Sequence, residues 1–369
     1  MEASLRENED FLTRQLITYI GNKRGLLPFI ANALGEVKKR LGKEKLTIFD
    51  AFSGSGAAAR FFKGHADLLL VNDLEAYSEA VNTCYLANSD ELPLGELREI
   101  HRELLRRLNE EAPRKGFITE LYAPEDEEHI KAGERVFYTP RNAMFIDTAR
   151  QYIEELEPGL RPFFIGPLLS EASVHANTAG VFKGFYKDRH TGIGRYGGTG
   201  KDALHRIKGH IDLPFPVWSN FNCPVKVFRQ DTNALVQGLE ETDLAYIDPP
   251  YNQHPYGSNY FMLNLILSYE RPAFVSPVSG IPPLWNRSAY NKAKEAARAF
   301  RDLASSIRSK FLLVSFNSEG FITPEHMRSI LEHTGKLDVF ETAYNAFRGS
   351  RNLRGRHTHV REYLYLVEK

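Results

Sequence analysis

Residues 46–59 read Leu-Thr-Ile-Phe-Asp-Ala-Phe-Ser-Gly-Ser-Gly-Ala-Ala-Ala, and this stretch decides the fold class. Its first six residues have the apolar composition of a buried strand. Ser53-Gly54-Ser55-Gly56 is a turn, and the three alanines open a helix. Working outward, a second strand is expected at 67–71, ending in Asn72-Asp73, and helical periodicity follows over 76–87. Strand, glycine turn, helix, strand and acid make a βαβ unit, so the fold class is α/β with a Rossmann-like parallel sheet. Towards the other end, strands are expected at 225–229, 243–247 and 310–316, helices at 258–269 and 289–308, and a closing strand at Glu362–Val367.

Between the two sets the rhythm breaks. Asp90 to Arg135 carries 13 acidic against 8 basic residues, with a charged helix over 96–111, whereas Phe182 to His210 carries seven Lys/Arg against two Asp and is rich in glycine. An interruption of about 135 residues is too long for a structureless loop, which points to an inserted domain. The expected organisation is a first core segment at 1–89, an insertion at 90–224 and a second core segment at 225–369. Arg141, Asn142 and Asp147 fall on a helix of the insertion that is expected to face solvent.

Composition narrows the class without naming a partner. The chain has 369 residues, 42% of them hydrophobic and 25% charged, with 47 Lys+Arg against 47 Asp+Glu. A chain of this length buries roughly 75% of its unfolded surface, so it needs no staples. Two cysteines, Cys84 and Cys223, exclude a disulfide framework and form no zinc spacing. His357-Thr358-His359 lacks acidic partners, so no metal is called for. The first residues carry no apolar signal core, and no stretch reaches the ~18 apolar residues of a membrane span. The expectation is a soluble, cytoplasmic protein.

The chemistry begins at Asp248-Pro249-Pro250-Tyr251, after the apolar run Leu244-Ala245-Tyr246-Ile247. A strand ending in an acid presents it at the carboxyl edge of the sheet, where open α/β folds bind ligands. The prolines remove N–H donors and leave carbonyls free as acceptors. An Asp248 oxygen and the Pro249 carbonyl can together accept both hydrogens of an exocyclic amino group, while Tyr251 offers a face for stacking a planar base. Alone, the tetrapeptide is equally a rigid strand-terminating turn. Two other segments accompany it. In Asp50 to Ala59 the glycines admit a ligand to the backbone, and Asp73 stands where ribose hydroxyls would be held. The same segment satisfies G-x-G-x-x-A with an acid near the dinucleotide offset, so by itself it does not separate NAD from another adenosine cofactor. Tyr19-Ile20-Gly21-Asn22-Lys23-Arg24-Gly25 places a lysine ahead of a helix, within reach of a carboxylate or a DNA phosphate.

The ordered set YIGNKRGLLP (19–28), DAFSGSG (50–56), VNDLE (71–75), a long insertion and DPPY (248–251) resembles the alpha-group, Dam-like, site-specific DNA adenine-N6 methyltransferases. The likeness covers roughly 15–89 and 225–369. It implies an AdoMet-dependent methyltransferase sheet with an inserted target-recognition domain, S-adenosyl-L-methionine as cofactor, and methyl transfer to N6 of a flipped adenine in double-stranded DNA. By motif position it implies that Tyr19, Lys23, Asp50, Ser53, Gly54, Gly56 and Asp73 bind the cofactor, with Asp248 beside it and Asp231, a looser match, near its adenine. Asp248, Pro249, Pro250 and Tyr251 would carry the catalytic step. Asn22 stands where many relatives have a second glycine. The resemblance is open between restriction–modification, with a cognate restriction endonuclease as partner, and epigenetic marking.

For DNA contact the candidates are Lys183, Lys187, Arg189, Arg195 and Lys201 in the basic glycine-rich stretch, and Arg348, Arg351, Arg354 and Arg356 near the end. Gly197-Gly198-Thr199-Gly200-Lys201 is not a phosphate loop, because Arg195 replaces its first glycine and Asp202 its Ser/Thr. Cys223-Pro224 reverses the Pro-Cys order of cytosine-C5 enzymes. The alternatives that stay open are an RNA adenine or cytosine-N4 methyltransferase, an NAD-dependent oxidoreductase and a DNA-binding protein that has lost catalysis.

Overall fold

The computed structural model describes residues 6–198, 200, 203–345 and 359–369. Among these, β1 (Leu46–Asp50), β2 (Ala66–Asp73), β3 (Val225–Arg229), β4 (Thr242–Ile247), β5 (Ser309–Asn317), β6 (Lys336–Asn345) and β7 (His359–Glu368) form one sheet in the order β3-β2-β1-β4-β5-β7-β6. The first five are parallel, and β7 runs antiparallel to both β5 and β6.

The central strands are apolar on both faces because helices cover both faces. Leu46 and Ile48 of β1, with Leu244 and Tyr246 of β4, pack under the helix Leu27–Leu41 and the helix Ala57–Lys63. Phe49, Ala245 and Ile247 point the other way, towards the helices Ala293–Ser306 and Pro324–Glu332. This period-two division makes a three-layer α/β sandwich. Strand order reverses between β1 and β4, which opens a crevice at their carboxyl ends. Asp50 closes β1 and Asp248 follows β4, so both acids sit at that switch point.

Several elements differ from expectation. The helix expected at 258–269 is broken into Tyr256–Asn259 and Phe261–Ser268, because Tyr260 turns out of helical geometry and its hydroxyl takes the Ile20 N–H at 2.7 Å. The helix expected at 289–308 begins as a separate 3-10 turn, Ala289–Asn291. β6 was not read, since no apolar alternation is sustained along it; a helix at Pro162–Val174 was masked by Pro167 in its interior.

Among the described residues of segment 90–224 the regular elements are helices, which take up less than half of it, and the rest is turns and loops. The segment's apolar cluster runs on into Tyr77, Val81 and Tyr85 of the helix Ala76–Tyr85 and into Phe261 to Ile266. The expected solvent-facing helix is Pro140–Glu154, and here the expectation is corrected. Asn142 and Asp147 are buried, and only Arg141 is exposed. The Asp147 carboxylate accepts the N–H groups of Gly116, Ile118 and Thr119 as well as the Thr119 and Tyr269 hydroxyls, so it anchors the start of the helix Phe117–Tyr122. No helix among the described residues is long and apolar enough to cross a membrane.

Candidate active site

A cleft opens at the carboxyl ends of β1 to β4. It brings together Tyr19, Lys23, Ser53, Gly54, Asp73, Asp231, Asp248, Pro250 and Tyr251 from the expected set. Asp50, Gly56 and Pro249 do not line it; all three are buried behind it.

At the glycine turn, the Gly54 N–H donates to Asp73 Oδ2 at 2.8 Å, and Asp73 Oδ1 accepts the Glu75 N–H at 2.9 Å. Both glycines have positive φ, 52° at Gly54 and 76° at Gly56. A Cβ on Gly54 would lie 2.8 Å from the Tyr19 ring, and one on Gly56 would lie 2.5 Å from Asn82 Oδ1. The protein's own packing therefore demands both glycines. Behind the turn, Asn72 Nδ2 donates to Ala51 O, Gln230 O and Thr232 Oγ1, which locks the ends of β1, β2 and β3 together. Burial raises the Asp73 carboxyl, opposed by the amides it accepts. Asp231 begins the short helix Thr232–Leu235, accepting the Ala234 N–H at 3.1 Å, and remains exposed at the far end of the cleft.

Tyr19 is held face to face with Tyr256 and Tyr260, at ring separations of 5.0 and 4.7 Å, and its hydroxyl meets that of Tyr77 at 3.2 Å. The turn that follows uses Gly21 at φ 75°, while Asn22 has an ordinary negative φ and caps the 3-10 helix Lys23–Leu26 by accepting the Arg24 N–H. A second glycine is not required at position 22.

Lys23 is where the structure departs most from a free cationic arm. It is 5% exposed, and its Nζ lies 3.2 Å from Asp248 Oδ1 and 3.6 Å from Glu362 Oε2 on β7. Burial opposes the charged ammonium, but the two carboxylates overcome that and hold Lys23 protonated well above its usual range. Asp248 is pushed up to about 6 by burial, with Lys23 pulling down and Glu362 pushing further up. Burial also holds the Asp50 carboxyl well above its ordinary value, with the charge on Asp248 adding to the effect. Tyr251 stands edge-on to Phe316 at 5.6 Å and borders the cleft, and its backbone carbonyl accepts the Phe321 N–H.

Sequence reasoning missed Glu75, Glu362 and the wall formed by Asn286, Ser288 and Tyr290. Glu75 lies inside the VNDLE stretch. It is buried, accepts the Asn264 amide at 2.8 Å, and burial pushes it up to about 7.

The basic candidates split. Lys187 pairs with Gly194 across an isolated antiparallel bridge, making a hairpin whose turn exposes Arg189 and His190. Lys187 Nζ lies 4.7 Å from the Phe185 ring centre. Lys183, at the base, contacts His254 Nδ1 at 3.1 Å, so the hairpin adjoins the loop that carries Tyr251. Arg195 is half-buried. Lys201, Arg348, Arg351, Arg354 and Arg356, and with them His357 and Thr358, lie outside the described residues.

A family model described as D12 class N6 adenine-specific DNA methyltransferase matches residues 19–330. Among curated proteins the chain is similar to the type II methyltransferase M.NlaIII of Neisseria lactamica, 29% identical over 96% of this chain and 99% of that protein. It is 28% identical to the type II methyltransferase M.CviAII of Paramecium bursaria Chlorella virus 1, over 95% of this chain and 98% of that protein. Against the type II methyltransferase M.FokI of Planomicrobium okeanokoites it is 26% identical over 95% of this chain but 52% of that protein.

Proposed function

The chain belongs to the D12 class of N6 adenine-specific DNA methyltransferases, and on that premise we propose that it binds S-adenosyl-L-methionine in the cleft beside the glycine turn and methylates an adenine flipped out of double-stranded DNA against Asp248 and Tyr251. The observation that carries this reading is that Asp248 and Tyr251 open onto the same cleft as Gly54, Asp73 and Asp231, at the switch point of the sheet. The family sets aside the NAD-dependent, RNA and cytosine-N4 readings.

The residues present fit such a cofactor. Asp73, Glu75 and Asp231 offer acceptors for hydroxyl and amino groups, and Phe52 and Tyr290, edge to face at 5.2 Å, flank the space near Asp231. These acids and Asp248 make a lining suited to a cation. Lys23 is committed to Asp248 and Glu362, so its part is to hold the catalytic acid. The bound cofactor supplies an electrophilic methyl group; the protein supplies orientation. The adenine amine is a weak nucleophile because its lone pair is shared with the ring. The Asp248 carboxylate, which lines the cleft, accepts an amine hydrogen and pulls the nitrogen towards tetrahedral geometry, freeing the lone pair to face the methyl group. Tyr251 stacks on the flipped base and offsets part of the few kcal/mol that unstacking costs.

Segment 90–224 supplies target recognition in this reading, with the Arg189 hairpin reaching the duplex beside the mouth of the cleft. The relatives are named type II methyltransferases, which favours a restriction–modification role with a cognate endonuclease as partner and a cytoplasmic location.

The test incubates purified protein with methylation-free genomic DNA and S-adenosyl-L-methionine, then digests the DNA to nucleosides for mass spectrometry. The expected product is N6-methyladenine, lost in Asp248→Ala. N4-methylcytosine, or full activity in that variant, overturns the assignment of the site.

A further inference from the structure

Glu362 lies on β7 in the last stretch of the chain, far in sequence from the motifs of the site. Glu362, Leu364 and Leu366 share a face of β7, and the two leucines are core residues under the helix Leu27–Leu41. A carboxylate therefore occupies a position where the pattern asks for an apolar side chain, and it is 5% exposed. Across the sheet its neighbours are Asn317 and Thr342, neither of them charged. Among the described residues, the one cation within 4 Å of it is Lys23, at 3.6 Å. Lys23 already has a closer partner in Asp248 at 3.2 Å. A buried ion pair is at best neutral for stability against well-packed apolar residues, and a second buried carboxylate adds a further desolvation cost. Folding alone gives no reason for a glutamate here.

Resting on the placement of Asp248 at the adenine amine, we propose that Glu362 is a positioning residue for methyl transfer, acting through Lys23 on the catalytic acid. The triad of Asp248, Lys23 and Glu362 carries a net charge of −1 when both acids are ionised. With Asp248 alone, the ammonium would neutralise the carboxylate that must accept the amine's hydrogens. Sharing Lys23 with Glu362 leaves Asp248 the stronger acceptor while still holding it in place. It also keeps negative charge under the reacting nitrogen. As the methyl carbon leaves sulfur and bonds to N6, positive charge appears on the amine and persists until one of its protons departs. The other groups that face Asp248 do not supply this charge. Asp50, at the end of β1, is held towards its neutral form, and the Tyr246 and Tyr256 hydroxyls are raised well above their ordinary range by burial.

The test is the pH dependence of single-turnover methylation with the full-length protein, S-adenosyl-L-methionine and duplex DNA. The wild type is expected to lose activity on the acid side as Asp248 takes up a proton. Glu362→Gln removes the charge and keeps the shape. It is expected to move that acid limb to lower pH by about one unit, because a like charge has been removed, and to lower the plateau rate roughly tenfold. Cofactor affinity by calorimetry should be unchanged. Glu362→Asp keeps the charge one methylene further away, and should give an intermediate limb and plateau. It also serves if Glu362→Gln does not fold. A purely structural glutamate would lower the melting temperature or the active fraction and leave the limb in place. An unmoved limb in both variants overturns the proposal. If instead Asp248→Asn retains activity, or the wild type shows no acid limb, the placement of Asp248 itself has failed.

Discussion

Replacing Lys23 by methionine is the sharpest perturbation the site offers. Methionine matches the length of the lysine stem and removes the charge between the half-buried Asp248 and the buried Glu362 carboxylates. At an effective dielectric near 20, a pair at 3.2 Å attracts with about 5 kcal/mol, and one at 3.6 Å with nearly as much. Losing the first interaction alone sets a ceiling of roughly 3–4 units on the rise in the Asp248 pKa. A rise of about 2 units is a conservative share, since water entering beside the uncharged side chain screens the carboxylates. The Asp248 carboxyl would then move from about 6 to about 8. At pH 7 its ionised fraction falls from about nine-tenths to about one-tenth, so the rate of methyl transfer should fall at least tenfold and recover by about pH 9. Proton uptake also limits the loss of stability, which would otherwise reach the ~3–5 kcal/mol of a broken buried pair. The assay is single-turnover methylation from pH 6 to 9.5, alongside cofactor binding by calorimetry. A wild-type rate at pH 7 would refute the reasoning. A loss that no pH restores, with weakened cofactor binding, would instead put Lys23 on the cofactor carboxylate.

The other expectations are as concrete. Tyr251→Ala should lower kcat/KM for DNA by the roughly 1–3 kcal/mol of a lost base stack and leave cofactor affinity untouched; equal losses in both would remove the stacking role. Gly54→Ala places a methyl group 2.8 Å from the Tyr19 ring at a φ of 52°, and should cost about 1–3 kcal/mol of stability and weaken cofactor binding; unchanged melting and affinity would show that Tyr19 yields freely. The folded Glu75 carboxyl sits at about 7 against an ordinary 4.5, so the fold favours its protonated form, and that contribution is lost as pH rises between those values. Glu75→Gln should therefore stabilise the cofactor-free protein by up to about 3 kcal/mol at pH 8 and not at pH 4; equal shifts at both would contradict the assignment. Arg189→Gln should weaken binding to all DNA sequences alike and reduce the slope of log K against log salt by about 1, and an unchanged slope would take the hairpin off the phosphates.

Much of the site was legible because its parts are local. The DAFSGSG and DPPY stretches each hold a strand end, a turn and an acid within a few residues, and the physics that shapes them acts over the same few residues. The strand at 243–247 could be read because a parallel strand covered on both faces is a nearly continuous apolar run, and β3 at the sheet edge because Val225 and Val227 alternate with Lys226. β6 could not, since no apolar alternation is sustained along Lys336–Asn345. Asp147 was misread for a related reason. A charged residue on a helix is usually solvated, and only the amides of Gly116, Ile118 and Thr119, brought from a different helix, make its burial favourable.

The sequence by itself determined the class of sheet, the cleft at its switch point and the acids and aromatic that open onto it, because hydrophobic periodicity and turn chemistry are written residue by residue. Only the tertiary structure decided what those side chains do to one another. Lys23 precedes the first strand, Asp248 follows the fourth and Glu362 lies on the last, and no spacing rule joins them. Their charges meet because β7 runs antiparallel beside β5 and the 3-10 turn Lys23–Leu26 lies near the end of β4. Coulomb interactions in a buried site depend on distance and burial, and those are properties of the folded chain alone.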